Sequence, residues 1–85
     1  MSGLIQNKIV VITGGAGLLG KEFCQAIAAN GAIAVMAEYD LSVAEKVCNA
    51  LGNSHIVPAQ VDITNKDSVA ALITTISEKY GKIER

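Results

Sequence analysis

Eight residues near the amino terminus, Thr-Gly-Gly-Ala-Gly-Leu-Leu-Gly over positions 13–20, have the types and spacing best suited to binding a ligand. They follow a short apolar run and open a segment with helical apolar spacing that extends to about Ala29. Glycine lacks a Cβ atom, so it permits tight turns and lets backbone N–H groups approach a ligand. A helix start adds unpaired N–H groups and the positive end of the helix dipole. The pattern therefore predicts an anion site, and a phosphate or pyrophosphate is the natural ligand.

Two phosphate-binding motifs overlap in this segment. Residues 15–21 fit the P-loop pattern G-x-x-x-x-G-K-[ST] up to its last position, which is Glu22 instead of serine or threonine. A P-loop requires a hydroxyl there for Mg²⁺, and a carboxylate would repel the phosphates. The dinucleotide fingerprint G-x-G-x-x-G also fits, at Gly15, Gly17 and Gly20. A preceding strand, a following helix and an acidic residue about 20 positions further on, Glu38, favour the dinucleotide interpretation.

The bulk composition indicates one small globular unit spanning residues 1–85. Seven basic residues against eight acidic ones argue against nucleic acid as a partner. No apolar run reaches the ~18 residues needed to span a bilayer, and the N-terminus lacks the features of a signal peptide. We therefore expect no membrane partner and a cytoplasmic location. Cys24 and Cys48 are expected to be reduced thiols in or near the core, and no metal site is predicted.

The apolar pattern predicts six elements in the order β-α-β-α-β-α. Strands are expected at about 8–13, 32–38 and 55–61. Helices are expected at about 18–29, from Asp40 or Ser42 to about 51, and at about 66–80. The first strand is apolar almost throughout, without alternation, as in a parallel sheet covered on both faces. Right-handed crossovers give the strand order 3-2-1, with two helices on one face and the third on the other. The sequence thus predicts an α/β fold, half of a doubly wound Rossmann sheet.

Two finer predictions concern the helices. The buried stripe of the first helix is expected to consist of the apolar residues Leu19, Phe23, Ala26 and Ile27. The third helix is expected to be capped by Thr64.

Four segments together resemble the short-chain dehydrogenase/reductase family, over nearly the whole chain. They are the glycine segment 13–20, the strand end Ala37-Glu38-Tyr39-Asp40, the turn Val61-Asp62-Ile63-Thr64 and the helix end Tyr80-Gly81-Lys82-Ile83-Glu84. The commoner branch of the family has T-G-x-x-x-G-x-G, which would require glycine where Leu18 stands. The glycines at 14, 17 and 20 instead follow the T-G-x-x-G-x-x-G spacing typical of sugar-nucleotide epimerases and dehydratases. Bacterial members linked to surface-sugar or flagellin modification look similar in this mixed respect.

The resemblance implies a cofactor site. Backbone groups of the glycine segment would face the pyrophosphate, with its last glycine allowing close helix packing. Glu38 would accept hydrogen bonds from the adenosine ribose, and Asp62 would bind the adenine amino group beside the backbone of Ile63. The predicted cofactor-binding residues are Gly14, Gly15, Gly17, Leu18, Leu19, Gly20, Glu38, Asp62 and Ile63. The plainer alternatives are an exposed charge for Glu38 and a turn or capping role for Asp62.

The acidic strand end also predicts which cofactor binds. Glu38 would place a carboxylate where the 2′-phosphate of NADP lies, and the next residue, Tyr39, adds no positive charge. Arginine or lysine would be expected for phosphate recognition. We therefore expect NAD rather than NADP.

The catalytic residues of the family are not in this sequence. Their chemistry uses a tyrosine with a lysine four positions later, but Tyr39 and Tyr80 are followed at that spacing by Val43 and Glu84. The chain also ends where a fourth strand is expected to begin. We therefore expect part of an NAD-dependent oxidoreductase, inactive alone, whose parent acts on a small-molecule substrate. The alternatives are a stand-alone NAD or adenine-nucleotide binding module, or a fragment of a sugar-nucleotide epimerase or dehydratase. An unpaired first strand would favour self-association of the fragment or a homo-oligomer.

Overall fold

The computed structural model describes residues 8–80 as a three-stranded parallel sheet with helices on both faces. Its elements are β1 (Ile9–Thr13), α1 (Leu18–Ala29), β2 (Ile33–Glu38), α2 (Leu41–Leu51), β3 (Ile56–Gln60) and α3 (Lys66–Tyr80). This confirms the predicted α/β class and element order. Within the described range, no helix is both long and apolar enough to cross a bilayer.

β2 lies at the centre of the sheet. Both other strands pair with it in parallel, in the order β1-β2-β3, which is the predicted order read from the opposite edge. Thr13 pairs with Ala37, and Glu38 pairs with Gln60, so the carboxyl ends of the three strands lie side by side. Because open parallel sheets bind ligands at the carboxyl ends of their strands, this edge is where a site is expected.

The side chains of β2 alternate between two hydrophobic layers. Ala34 and Met36 contribute to the layer under α1 and α2, whereas Val35 and Ala37 contribute to the layer under α3. All four are fully buried. The first layer also contains Cys24, Ala28, Ala44, Cys48 and Ile56, and the second contains Ile9, Val61, Leu72 and Ile76. Coverage on both faces explains why β1 and β2 are apolar almost throughout, without alternation.

The buried stripe of α1 differs from the predicted one. Cys24 and Ala28 are buried, whereas Leu19 is 63% exposed and Phe23 is 52% exposed. Together with Gly20, the two buried residues form a row of small side chains at intervals of four. A helix that approaches the sheet this closely buries its small residues and leaves large ones outside. Ile27 is partly buried and packs against the core as predicted, but Ala26 is exposed like Leu19 and Phe23. The prediction was wrong for these three residues because it took no account of how closely the helix approaches the sheet.

β1 pairs on one side only within the described residues. The Ile33 N–H donates to the Lys8 carbonyl at 2.8 Å, and the Gly14 N–H donates to the Ala37 carbonyl at 2.9 Å. The backbone groups of successive strand residues point to alternate sides, so Val10 and Ile12 face β2. The backbone groups of the alternate residues, Ile9, Val11 and Thr13, point outward.

Candidate functional site

The segment 14–17 turns the chain from β1 into α1. The Gly17 N–H donates to the Gly14 carbonyl at 3.2 Å, closing the turn. Gly14 has a φ of +68°, in the left-handed region that glycine adopts without strain. A Cβ atom at Gly20 would lie 2.6 Å from the Gly14 carbonyl oxygen and 2.7 Å from the Gly15 Cα. Glycine at position 20 therefore allows α1 to start directly against the turn.

α1 starts without a side-chain cap. Its N-cap residue is Gly17, in an extended conformation, and the first turn contains no acidic residue. The N–H groups of Leu18 and Leu19 come too early in the helix to have a partner within it. Both side chains are mostly exposed. The start of α1 therefore presents hydrogen-bond donors and a positive partial charge at the carboxyl edge of the sheet.

Glu38 ends β2 beside this turn. Its side-chain Oε2 accepts a hydrogen bond from the Ala16 N–H at 2.9 Å. Its backbone carbonyl accepts a second one from the Val61 N–H at 2.8 Å. The residue is partly buried. Glu38 thus connects the glycine turn on one side with the segment that follows β3 on the other.

Asp62 and Ile63 lie in the turn between β3 and α3. Asp62 Oδ1 accepts hydrogen bonds from the Thr64 hydroxyl at 2.6 Å and the Thr64 N–H at 3.0 Å. Both bonds lower the pKa of the Asp62 carboxyl, and the bond from the Thr64 hydroxyl has the larger effect. Asp62 therefore stabilises this turn as a carboxylate, and both bonds use the same oxygen. Ile63 is 67% exposed at the same edge.

The starts of α2 and α3 are capped. Asp40 Oδ1 accepts hydrogen bonds from the Ser42 hydroxyl and the Ser42 N–H, which lower the pKa of the Asp40 carboxyl. Asn65 Oδ1 accepts from the N–H groups of Asp67 and Ser68, at 2.9 and 3.2 Å. Asn65 therefore caps α3, and the prediction of Thr64 was wrong. The Thr64 hydroxyl donates to Asp62 instead.

The predicted cofactor residues fall into three neighbouring segments at the carboxyl edge of the sheet, namely 14–20, Glu38 and 62–63. Glu38 brings the three together through its bonds to Ala16 and Val61. Ala16 is missing from the predicted set because no contact between Glu38 and a backbone N–H of the glycine turn was expected. Its position between two glycines was the one signal in the sequence.

Two curated proteins are similar to this chain over most of its length. It is 31% identical over 81 residues to 3-hydroxyacyl-CoA dehydrogenase type-2 of Drosophila melanogaster, covering 95% of this chain and 31% of that protein. It is 31% identical over 84 residues to Post-translational flagellin modification protein A of Campylobacter coli, covering 95% of this chain and 33% of that protein. The chain thus spans about a third of the length of each.

Solved structures and a family model agree with these matches. The crystal structure of a short chain dehydrogenase from Bacillus anthracis matches with a TM-score of 0.83 at 30% identity, over 94% of this chain and 33% of that one. The sequence model of the family described as short chain dehydrogenase matches residues 8–85. The family model and the structural match therefore lead to the same family, and the chain belongs to the short-chain dehydrogenase family.

Proposed function

We propose that this chain is the NAD(H)-binding portion of a short-chain oxidoreductase that transfers a hydride between the cofactor and a small-molecule substrate. The family binds nicotinamide dinucleotide cofactors. One observation carries the proposal for this chain, the 2.9 Å hydrogen bond between Glu38 Oε2 and the Ala16 N–H. It places a carboxylate, the acceptor for ribose hydroxyls, directly beside a turn suited to a pyrophosphate.

The glycine turn leaves space for a ligand on its outer side. A Cβ atom at Gly17 would meet only the Gly14 carbonyl oxygen, at 3.4 Å, so the outer side of the turn is open to a ligand. The pyrophosphate would bind the N–H groups of Leu18 and Leu19 at the start of α1. The turn and the helix dipole stabilise its negative charge there.

The adenosine half would occupy the adjoining segments. Glu38 would accept hydrogen bonds from the ribose hydroxyls, and Asp62 would accept one from the adenine amino group beside the Ile63 backbone. Because both bonds within the Asp62 turn use Oδ1, the second carboxylate oxygen is the one we assign to adenine. The exposed side chain of Ile63 offers an apolar surface next to it.

When bound, the cofactor supplies a nicotinamide ring that accepts or donates a hydride. The residues of this chain hold and orient its adenosine and pyrophosphate parts. We assign proton transfer to another part of the protein, because neither Tyr39 nor Tyr80 has a lysine four positions later.

The cofactor is proposed to be NAD rather than NADP because of the charge at the end of β2. A 2′-phosphate on the ribose would lie against the Glu38 carboxylate. The exposed neighbour, Tyr39, offers a phenol rather than a positive charge. The carboxylate would also lose its hydrogen bond to the 2′-hydroxyl, which NADP lacks.

The test is the cofactor preference of the whole protein and of its Glu38→Ala variant. Hydrogen bonds to a charged group contribute about 1.5–3 kcal/mol, so the variant should bind NADH at least about tenfold more weakly. NADPH should lose less, since repulsion of its 2′-phosphate disappears as well. Glu45→Ala, which removes an exposed carboxylate of α2, is the matched control and should change neither affinity. Tighter binding of NADPH than NADH by the unmodified protein would contradict the assignment.

A further inference from the structure

The hydrogen bond between Glu38 and Ala16 joins two residues 22 positions apart and is partly buried. Ala16 lies in the turn that leads into α1, one residue before the N-cap Gly17. Two other hydrogen bonds hold this turn, from the Gly14 N–H to the Ala37 carbonyl and from the Gly17 N–H to the Gly14 carbonyl. Both join backbone atoms. The bond to Glu38 is therefore the one of the three that a side-chain substitution can remove.

We propose that Glu38 is a positioning residue for the glycine turn, in addition to its role toward the ribose. One carboxylate oxygen, Oε2, holds the Ala16 N–H and fixes the turn in the shape that directs the start of α1 at the pyrophosphate. The other oxygen is left for the ribose hydroxyls. This inference rests on the proposed function, and it couples the pyrophosphate and ribose parts of the site through a single side chain.

Charge and positioning predict opposite effects on phosphate binding. A carboxylate repels a pyrophosphate nearby, so removing the charge alone should strengthen the binding of phosphate-bearing ligands. Losing the contact with Ala16 should weaken it, because the donors of the turn are no longer held in place. Glutamine removes the charge but keeps an oxygen at the same distance along the side chain. Aspartate keeps the charge, but it is one methylene shorter and loses the contact.

The experiment compares Glu38→Gln with Glu38→Asp in the whole protein, using adenosine and ADP as ligands. Adenosine has the ribose without phosphate, so the ratio of the two dissociation constants isolates the pyrophosphate contribution. In Glu38→Gln, we expect ADP to keep its advantage in affinity over adenosine or to increase it, because the repulsion is removed and the contact with Ala16 is kept. In Glu38→Asp, the affinity of ADP relative to that of adenosine should fall at least about fivefold. Glu45→Gln and Glu45→Asp repeat both chemical changes on an exposed residue of α2 and should leave the ratio unchanged.

A second measurement follows the turn without any ligand. The amide ¹H and ¹⁵N shifts of Ala16 should move strongly in Glu38→Asp and little in Glu38→Gln, whereas a solely ribose-binding role predicts no such difference. The inference is overturned if Glu38→Asp keeps the full ADP advantage, or if both variants lose it equally. If the unmodified protein binds neither ligand, the proposed function fails, and the Ala16 shifts still decide whether Glu38 positions the turn.

Discussion

The three helices within residues 8–80 start at the same edge of one sheet, but they start in different ways. α2 and α3 have side-chain caps, in which Asp40 and Asn65 accept hydrogen bonds from first-turn N–H groups. α1 starts at Gly17, which has no side chain to accept such a bond. An Asn, Asp or Ser cap stabilises a helix by about 1 kcal/mol relative to alanine. The starts of α2 and α3 therefore satisfy first-turn N–H groups with side chains of this chain, whereas α1 has no such side-chain acceptor at its start.

This difference explains how one sheet edge combines stability with binding. The capped helices fix the positions of the turns that hold Asp62 and Tyr39. The uncapped helix supplies the donors that an anion needs. If the comparison is right, adding a cap to α1 should impair binding, and removing a cap from α2 should impair only stability.

The largest expected effect comes from filling the space between the turn and α1. In Gly20→Val, the new Cβ would lie 2.6 Å from the Gly14 carbonyl oxygen, a backbone atom that cannot easily move. We expect the free energy of unfolding to fall by about 3 kcal/mol, measured by urea denaturation, and NADH binding to be lost. Gly17→Ala is the control for stability, since its Cβ meets one oxygen at 3.4 Å. A Gly20→Val protein as stable as the control would show that the turn and helix can separate.

A somewhat smaller effect is expected from giving α1 the kind of cap that α2 has. Gly17 has a φ of −71° and a ψ of 170°, which aspartate adopts readily. Gly17→Asp should raise the free energy of unfolding by a few tenths of a kcal/mol, because aspartate accepts from the first-turn N–H groups. NADH should bind about tenfold more weakly, or about 1.4 kcal/mol, as measured by calorimetry. Gly17→Asn offers the same cap without the charge and should lose less. Unchanged NADH affinity in both variants would mean that the start of α1 does not contact the cofactor.

The converse change removes a cap. Asp40→Ala should lower the free energy of unfolding, because the first-turn N–H of Ser42 loses its acceptor. We expect the affinity for NADH to change by less than about threefold, since the start of α2 is not assigned a contact with the cofactor. Thermal unfolding and NADH titration of the same preparation measure both. If Asp40→Ala lowers the free energy of NADH binding by more than the free energy of unfolding, Asp40 belongs to the binding site.

The smallest expected effect is a pH dependence of stability that arises from Asp40, the N-cap of α2. The Ser42 hydroxyl and N–H lower the pKa of the Asp40 carboxyl from its ordinary value of 3.8. The unfolded chain then binds the proton more readily, so this contribution is complete above about pH 3.8 and is lost as pH falls through the lower folded value. Unfolding measured between about pH 2 and 6 should show a shallower acid loss in Asp40→Asn. An unaltered profile would argue against the cap.

The sequence predicted most of the fold because its elements are encoded locally. The bounds of α1 and α3 match, since each is an apolar-periodic run that starts and ends at glycine or polar residues. The face of α1 was not predictable from hydrophobicity, because burial there depends on how closely Gly20 lets the helix approach the sheet. Likewise, Thr64 and Asn65 are both residue types that can cap α3. The choice depends on Asp62, which already binds the Thr64 hydroxyl.

The candidate site likewise has features that the sequence predicts and features that depend on the folded structure. Side chains such as Glu38 can be predicted because their type and spacing carry a signal. The role of Ala16 could not be predicted, since every residue except proline has a backbone N–H. Which N–H meets the Glu38 carboxylate is decided by the path of the turn, and that path depends on packing between Gly15 and Met36 in the folded chain.

The alternation of backbone groups along β1 should be visible in the rates of amide hydrogen exchange. Val10 directs its N–H toward β2, whereas its sequence neighbour Val11 directs its N–H outward. A paired amide exchanges its hydrogen with solvent only when the structure opens, and an unpaired one at the surface exchanges much sooner. Deuterium should therefore enter Val11 long before Val10 wherever β1 is the last strand of its sheet. Once another strand lies on its outer side, the two residues should exchange at similar, slow rates, so the rate at Val11 alone reports whether β1 has gained a second neighbour.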